Sequence, residues 1–269
     1  MSETASLAIP AADIERFHAD GVIILRGVFV DWVEKLRAGI ARNMADPGPF
    51  ERTYTPADGS APFFQDYCNW QRIAEFKAFV LESRAAAIAA QLMRSRSARF
   101  FHDHVLVKQP GTSIVTPWHH DQPYYCVESE QSVSFWTPLD PVSRDVVMEC
   151  VAGSHAWGKD FRPTRFDGTP LYAKDDFEAM PDIDASRDSL RIVGWDMVPG
   201  DAIAFSFRTV HGAPGNHASR PRRVFSSRWV GDDAVFAERG GTTSPPFPGL
   251  GLKAGQPLDS PEFPVVFRS

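Results

Sequence analysis

The sequence predicts a mainly β fold with flanking helices, and three observations point to it. Short runs rich in Val, Ile, Phe, Trp and Thr follow one another between residues 99 and 230, each bounded by Gly, Pro, Asp or Ser. Helical spacing of apolar residues is confined to the stretch before Arg94. The 269 residues, 43% hydrophobic, suffice for one large core, and no linker, repeat or low-complexity tract divides them. A single domain over residues 1–269 is therefore expected, a sandwich or barrel with helices packed outside.

In chain order, Ala11 to Ala19 reads as a short helix and Gly21 to Leu25 as a strand. Asp31 is placed to cap a second helix, because Trp32, Leu36, Ile40 and Met44 then fall four apart on one face, a stripe that serves the core. Asp46 to Pro62, rich in Pro and Gly, reads as a long surface loop. The aromatic and polar stretch Phe63 to Trp70 leads into a helix over about Trp70 to Phe79, and Ser83 to Met93 forms an Ala-rich one. Strands are expected over Arg99 to Lys108, Thr116 to Asp121, Ser132 to Pro138, Val147 to Val151, Leu190 to Met197, Ala202 to Phe207 and Arg222 to Val230. Phe161 to Asp188, rich in Asp, Pro and Arg, reads as an insertion and candidate lid (161–188), and the tail beyond Gly240 as a surface wrap.

A net charge of −6 without any Lys/Arg cluster argues against nucleic acid and against a membrane surface as partners, and favours a small-molecule substrate. The opening Met1-Ser2-Glu3-Thr4-Ala5 lacks a basic segment followed by an apolar core, and no apolar run is long enough to span a bilayer. Three widely separated cysteines, Cys68, Cys126 and Cys150, suit neither a disulfide framework nor a cysteine zinc site. A cytoplasmic location is the expectation.

Chemistry concentrates at Trp118-His119-His120-Asp121. On a strand, His119 and Asp121 point to one face and His120 to the other. An imidazole and a carboxylate side by side, completed by a second imidazole, make the facial triad that holds Fe(II) and leaves positions open. His211, after the strand-like Ala202 to Phe207 and before Gly212 and Pro214, is the candidate third ligand. Arg222 opens the next strand, where a guanidinium can grip a carboxylate through two parallel hydrogen bonds.

Together with these residues, Lys108-Gln109-Pro110-Gly111, Phe135 to Leu139, Ser143-Arg144, Gly153-Ser154-His155, Pro199-Gly200-Asp201 and the opening Phe17 to Gly27 resemble the phytanoyl-CoA dioxygenase family of Fe(II)/2-oxoglutarate-dependent oxygenases, over residues 12 to 232. The resemblance implies a double-stranded β-helix, the cupin-like jelly roll, with the metal at its open end. It further implies Fe(II) on His119, Asp121 and His211, 2-oxoglutarate as co-substrate with Arg222 on its distal carboxylate, and O₂ consumed to give succinate, CO₂ and a hydroxylated product. Relatives that halogenate carry a small residue where this chain has Asp121, so hydroxylation is expected. Where relatives have Asn-Gly after Ser143-Arg144 this chain has Val146-Val147, and Ala213 stands where relatives often have Ser.

Strand parity nominates further residues. Phe100, His102, His104, Leu106 and Lys108 share a face, which makes His104 and Lys108 candidates for co-substrate contact; the alternative for Lys108 is a strand-end surface charge. Trp136 is either a wall of the co-substrate pocket or a core residue. Arg228 shares a face with Arg222 and either meets an anionic substrate group or pairs with a structural carboxylate. Phe64, Asp66, Tyr67, Trp70, Tyr124 and Tyr125 are candidates for the substrate pocket. His120 and His155 read as structural. Two rival functions use the same ligands, a Zn-dependent hydrolase or lyase and a non-catalytic jelly-roll binding protein.

Overall fold

The computed structural model describes residues 8–165, 168–173 and 176–269. The Met1 to Ala5 opening, and residues 166, 167, 174 and 175 of the 161–188 insertion, lie outside the described residues. In chain order the elements are α1 (Ala11–Asp20), β1 (Val22–Leu25), α2 (Val33–Ala45), β2 (Arg52–Tyr54), β3 (Phe63–Tyr67), α3 (Ala74–Glu82), α4 (Ala85–Met93), β4 (Ser97–Lys108), β5 (Thr116–His119), β6 (Val127–Glu128), β7 (Ser132–Pro138), β8 (Glu149–Val151), β9 (Ile192–Val193), β10 (Ala202–Phe205), β11 (His211–Ala213), β12 (Arg222–Val230), β13 (Val235–Phe236) and β14 (Val265–Arg268). An antiparallel major sheet runs β1-β10-β7-β12-β4-β3-β2, with β14 also on β4, and faces a minor sheet β5-β11-β8-β9. This is the jelly-roll arrangement of two sheets around one interior.

The helices cover the outer face of the major sheet. Leu36, Ile40, Phe76 and Phe79 are buried there against Val105, Val107, Phe225 and Trp229 of β4 and β12. A second apolar cluster, with Trp136, Val147, Cys150, Ile203, Phe205 and Val224, fills the space between the two sheets. Alternation along β12 divides its residues between these layers, which is why the strand is buried along its length except at Arg223.

Several expectations need correction. Asp31 does not cap α2 with its side chain; it lies in a 3-10 turn, Val30–Trp32, ahead of it. The buried stripe of α2 is Leu36, Gly39, Ile40 and Asn43 while Met44 is exposed, because a helix of 3.6 residues per turn drifts away from a strict four-residue spacing. Residues 52–54 and 63–67, read as loop and lead-in, are paired strands, and α3 begins at Ala74. Phe100 does not share the interior face with His102. A bulge on β4 leaves Phe101 without a partner between Phe100 opposite Trp229 and His102 opposite Arg228, so Phe100 joins the helix layer.

Gly21 ties this scaffold to the candidate site. Its φ of 70° ends α1 in the left-handed region, and a Cβ there would sit 2.4 Å from the His155 ring, so both conformation and space require glycine. Its carbonyl accepts from Ser206 N at 2.9 Å and Thr209 Oγ1 at 2.7 Å, which fixes the turn leading into His211. Among the described residues, no helix is long and apolar enough to cross a membrane.

Candidate active site

β5 and β11 are neighbours in the minor sheet, and their register sets His119 directly opposite His211. The two imidazoles lie 4.2 Å apart between ring centres. Each is held by the backbone two residues earlier: Nδ1 of His119 donates to Pro117 O at 2.8 Å, and Nδ1 of His211 donates to Thr209 O at 2.9 Å. With the proton fixed on Nδ1, Nε2 of each ring presents a lone pair, the form a metal needs.

Asp121 reaches the same point by a different route from the one parity predicts. β5 ends at His119, and Asp121 sits in a turn with α-type backbone, fastened by its N–H to Phe207 O at 2.8 Å. Its Oδ1 lies 3.8 Å from His119 Nε2 and 3.9 Å from His211 Nε2. One donor atom from each of the three residues falls within 4.8 Å of the others, a spacing and donor set suited to one divalent ion of the Fe(II) or Zn(II) type. Among the described residues, this is the one such cluster. Burial raises the Asp121 carboxyl, but Arg228, His211 and His119 outweigh it and hold the group below the usual carboxylate range. Burial pushes His211 down to about 3, so its ring is neutral at physiological pH. His120 turns away, and its Nε2 accepts from Phe161 N at 3.0 Å.

These groups open onto a cavity of about 380 Å³ between the sheets. Farther in lie two buried cations. Arg222 donates to the carbonyls of Val146 and Pro214. Lys108 donates to Ile114 O at 2.7 Å, Pro214 O at 2.9 Å and Ala213 O at 3.4 Å. Lys108 is 2% exposed, which rules out a surface charge. Burial and the neighbouring Arg222 lower its amine to about 6, and burial lowers Arg222 to about 10. Among the described residues, no carboxylate lies within ion-pair distance of either. A buried guanidinium beside a buried amine that an anion would charge, with no carboxylate partner among the described residues, fits an anionic ligand.

Of the other nominated residues, His104 lines the cavity, bonded to Gln65 Oε1 at 3.0 Å and stacked on Tyr67 at 3.9 Å. Trp136 is both wall and core. Tyr124 lines the cavity with its ring edge toward His119, and its hydroxyl is held by Thr164. Arg228 pairs with a carboxylate, and that carboxylate is Asp121.

Phe64, Asp66 and Trp70 are a correction: none of them reaches the cavity. Because residues 63–67 form a strand, Phe63, Gln65 and Tyr67 face inward while Phe64 and Asp66 face the helices. Asp66 accepts from Asn43 Nδ2, Gly48 N and Tyr67 N, and Trp70 packs edge-on against Phe100. Tyr67, nominated with them, does line the cavity, and its alternation with Phe63 and Gln65 was the available signal for those two. Nothing in the sequence marks Thr242 to Pro246, a stretch of the tail that also borders the cavity, or Ser134 beside Asp121. The insertion contributes Thr164, Arg165 and Leu171 to the rim.

With this geometry in place, comparison with known proteins is informative. The family model described as phytanoyl-CoA dioxygenase (PhyH) matches residues 17–224. The chain belongs to the phytanoyl-CoA dioxygenase family. No curated protein matches the sequence. Among solved structures, the chain is similar to SnoK, a non-heme alpha ketoglutarate dependent carbocyclase from nogalamycin biosynthesis, at 20% identity and a TM-score of 0.75, covering 99% of this chain and 100% of that one. It is also similar to the epimerase SnoN in complex with Fe3+, alpha ketoglutarate and nogalamycin RO (21%, TM-score 0.75, 95% and 99% covered). EctD from S. alaskensis with 2-oxoglutarate and 5-hydroxyectoine matches at 19% identity and a TM-score of 0.67, with 95% and 88% covered. At these identities the likeness to the three structures speaks to the fold, which this phytanoyl-CoA dioxygenase family member shares with all of them.

Proposed function

We propose that this protein is an Fe(II)- and 2-oxoglutarate-dependent oxygenase that hydroxylates a small, largely apolar molecule carrying no positive charge. One observation carries the reading: His119, Asp121 and His211 converge at a cavity that also holds Arg222 and Lys108, for which no carboxylate partner lies among the described residues. His119, Asp121 and His211 hold the iron, and Arg222 with Lys108 receives the distal carboxylate of 2-oxoglutarate. When bound, the iron and its co-substrate supply the oxidising chemistry: O₂ and 2-oxoglutarate become succinate and CO₂ as one oxygen atom enters a substrate C–H bond. The rival zinc reading uses the triad but leaves the two cations without a task. Support for the co-substrate comes from family membership and from the 2-oxoglutarate bound in the SnoN and EctD structures.

The substrate class follows from the lining. Tyr54, Phe63, Tyr67, Tyr124, Leu171 and Pro246 line the cavity, and among the described residues Asp121 is the only carboxylate in its wall. A cationic substrate would lose hydration with no counter-charge to replace it. An aromatic or fused-ring molecule, neutral or acidic, matches both the rings and the exposed Arg52 and Arg165 at the rim. The chain's own residues orient the substrate and exclude water from the oxidising centre. Free Cys68, Cys126 and Cys150 support work in a reducing compartment such as the cytoplasm.

The test is an anaerobic titration of the metal-free protein with Fe(II) and then 2-oxoglutarate, following the visible charge-transfer band of the chelate. A saturable band is expected, and succinate release then identifies substrates whose product is heavier by one oxygen atom. No band with iron bound overturns the assignment.

A further inference from the structure

Arg228 lies at the floor of the site, 5% exposed, on the strand that also carries Arg222. Its Nε sits 3.4 Å from Asp121 Oδ2 and donates to the Tyr125 hydroxyl, while Nη1 donates to Ser226 Oγ at 3.2 Å. Ser134, its cross-strand partner on β7, places Oγ 3.4 Å from the same Oδ2. The two oxygens of Asp121 are therefore divided. Oδ1 faces the imidazoles and Oδ2 faces Arg228 and Ser134.

We infer that Arg228 is a positioning residue that holds Asp121 as a one-oxygen ligand, using Tyr125 and Ser226 to fix its own guanidinium. The inference rests on the reading of the triad as a metal centre. A free carboxylate can bind a cation through one oxygen or both. Engaging Oδ2 elsewhere keeps it off the ion, so three protein atoms ligate and the remaining positions stay open for co-substrate and O₂. The planar fork suits this task because it sets direction as well as charge. It also means that Arg228 is not free to meet an anionic group of the substrate.

The experiment compares wild type with Arg228→Gln, Arg228→Lys, Tyr125→Phe and Ser226→Ala. Fe(II) affinity is read by chelator competition, coordination by the visible spectrum of the Co(II)-loaded protein, and 2-oxoglutarate affinity by the chelate band at saturating Fe(II). Arg228→Gln is expected to weaken Fe(II) binding roughly 10- to 100-fold, the range for outer-shell partners of metal ligands, and to shift the Co(II) spectrum. Affinity for 2-oxoglutarate at saturating metal stays within about three-fold of wild type, and Arg228→Lys recovers part of the Fe(II) affinity. Tyr125→Phe removes a hydroxyl that bonds Asp121 as well as Arg228, whereas Ser226→Ala removes the one that holds Arg228 Nη1; both are expected to show a smaller loss in the same direction, and Ser226→Ala decides the matter if Arg228→Gln does not fold. Unchanged metal affinity and spectrum in the folded variants, or a loss confined to 2-oxoglutarate, overturns the inference. A wild-type protein that binds neither Fe(II) nor 2-oxoglutarate overturns the functional reading on which it rests.

Discussion

Lys108 and Arg222 are register partners across β4 and β12, two cations placed opposite one another in a buried wall. Burying both in charged form opposes folding, which is why Lys108 gives up its proton near pH 6, and neither has an ion-pair partner among the described residues. The arrangement makes sense as a receptor that an anion completes. Arg222→Ala is expected to raise the Kd for 2-oxoglutarate on the order of 100-fold, because truncation removes a buried charged contact. Lys108→Met should cost about 10-fold. Fe(II) affinity, measured before co-substrate is added, stays unchanged in both.

The same pair sets a pH dependence. Lys108 has a folded pKa of about 6, below that of a free lysine, so between pH 6 and 10 the folded chain binds fewer protons than the unfolded one. Its contribution to stability therefore rises with pH across that window and is lost as pH falls through 6. A dianion beside Lys108 favours the ammonium, so binding takes up a proton above pH 6. Affinity for 2-oxoglutarate is expected to fall as pH rises from 6 to 9, with calorimetric heats that vary with buffer ionisation. Lys108→Met abolishes both effects; a wild-type affinity flat over that range excludes the linkage.

Adjacent histidines separate structure from metal binding. His119→Ala should leave the fold intact and abolish the 2-oxoglutarate charge-transfer band. His120→Ala strands the buried Phe161 N–H and is expected to cost about 1–3 kcal/mol of unfolding free energy, with metal content unchanged. Chemical denaturation and metal analysis on the two variants read these outcomes separately.

The alternation of β3 gives a similar contrast. Asp66→Ala removes the acceptor for three hydrogen bonds on the helix side and should lower stability by about 3 kcal/mol while sparing co-substrate binding. Tyr67→Ala opens the cavity wall and is expected to raise the substrate KM in the succinate-release assay, with a smaller stability change. If the two variants exchange these phenotypes, the facing of β3 is wrong.

How far the sequence was legible depended on whether a residue's role is local. The strands around Lys108 and Arg222 and the meeting of His119 with Asp121 follow from periodicity and motif, and the jelly roll from the family resemblance. Even there the local route differed: parity on a strand was the argument, whereas a turn anchored on Phe207 O performs the placement. Phe64, Asp66 and Trp70 were misplaced because Pro and Gly at 46–62 read as the edge of a loop, while pairing with β4 draws residues 63–67 into the sheet. The bulge at Phe101 interrupts parity without any glycine to mark it. The part played by Ser134 and by Thr242 to Pro246 arises from contacts between segments far apart in the chain, which one-dimensional patterns do not carry.

Each ligand imidazole is pinned by the carbonyl two residues earlier in the chain, Pro117 for His119 and Thr209 for His211. Ring plane and tautomer are thus settled by the polypeptide, and no ion is needed to recruit them. Folding and metal acquisition become separate events for this chain, unlike small zinc domains in which they are one. A chelator is expected to empty the centre without loss of far-ultraviolet ellipticity, and reloading requires no refolding. Which ion occupies the finished receptacle is then decided by supply, since the intrinsic affinity order favours copper and zinc over iron.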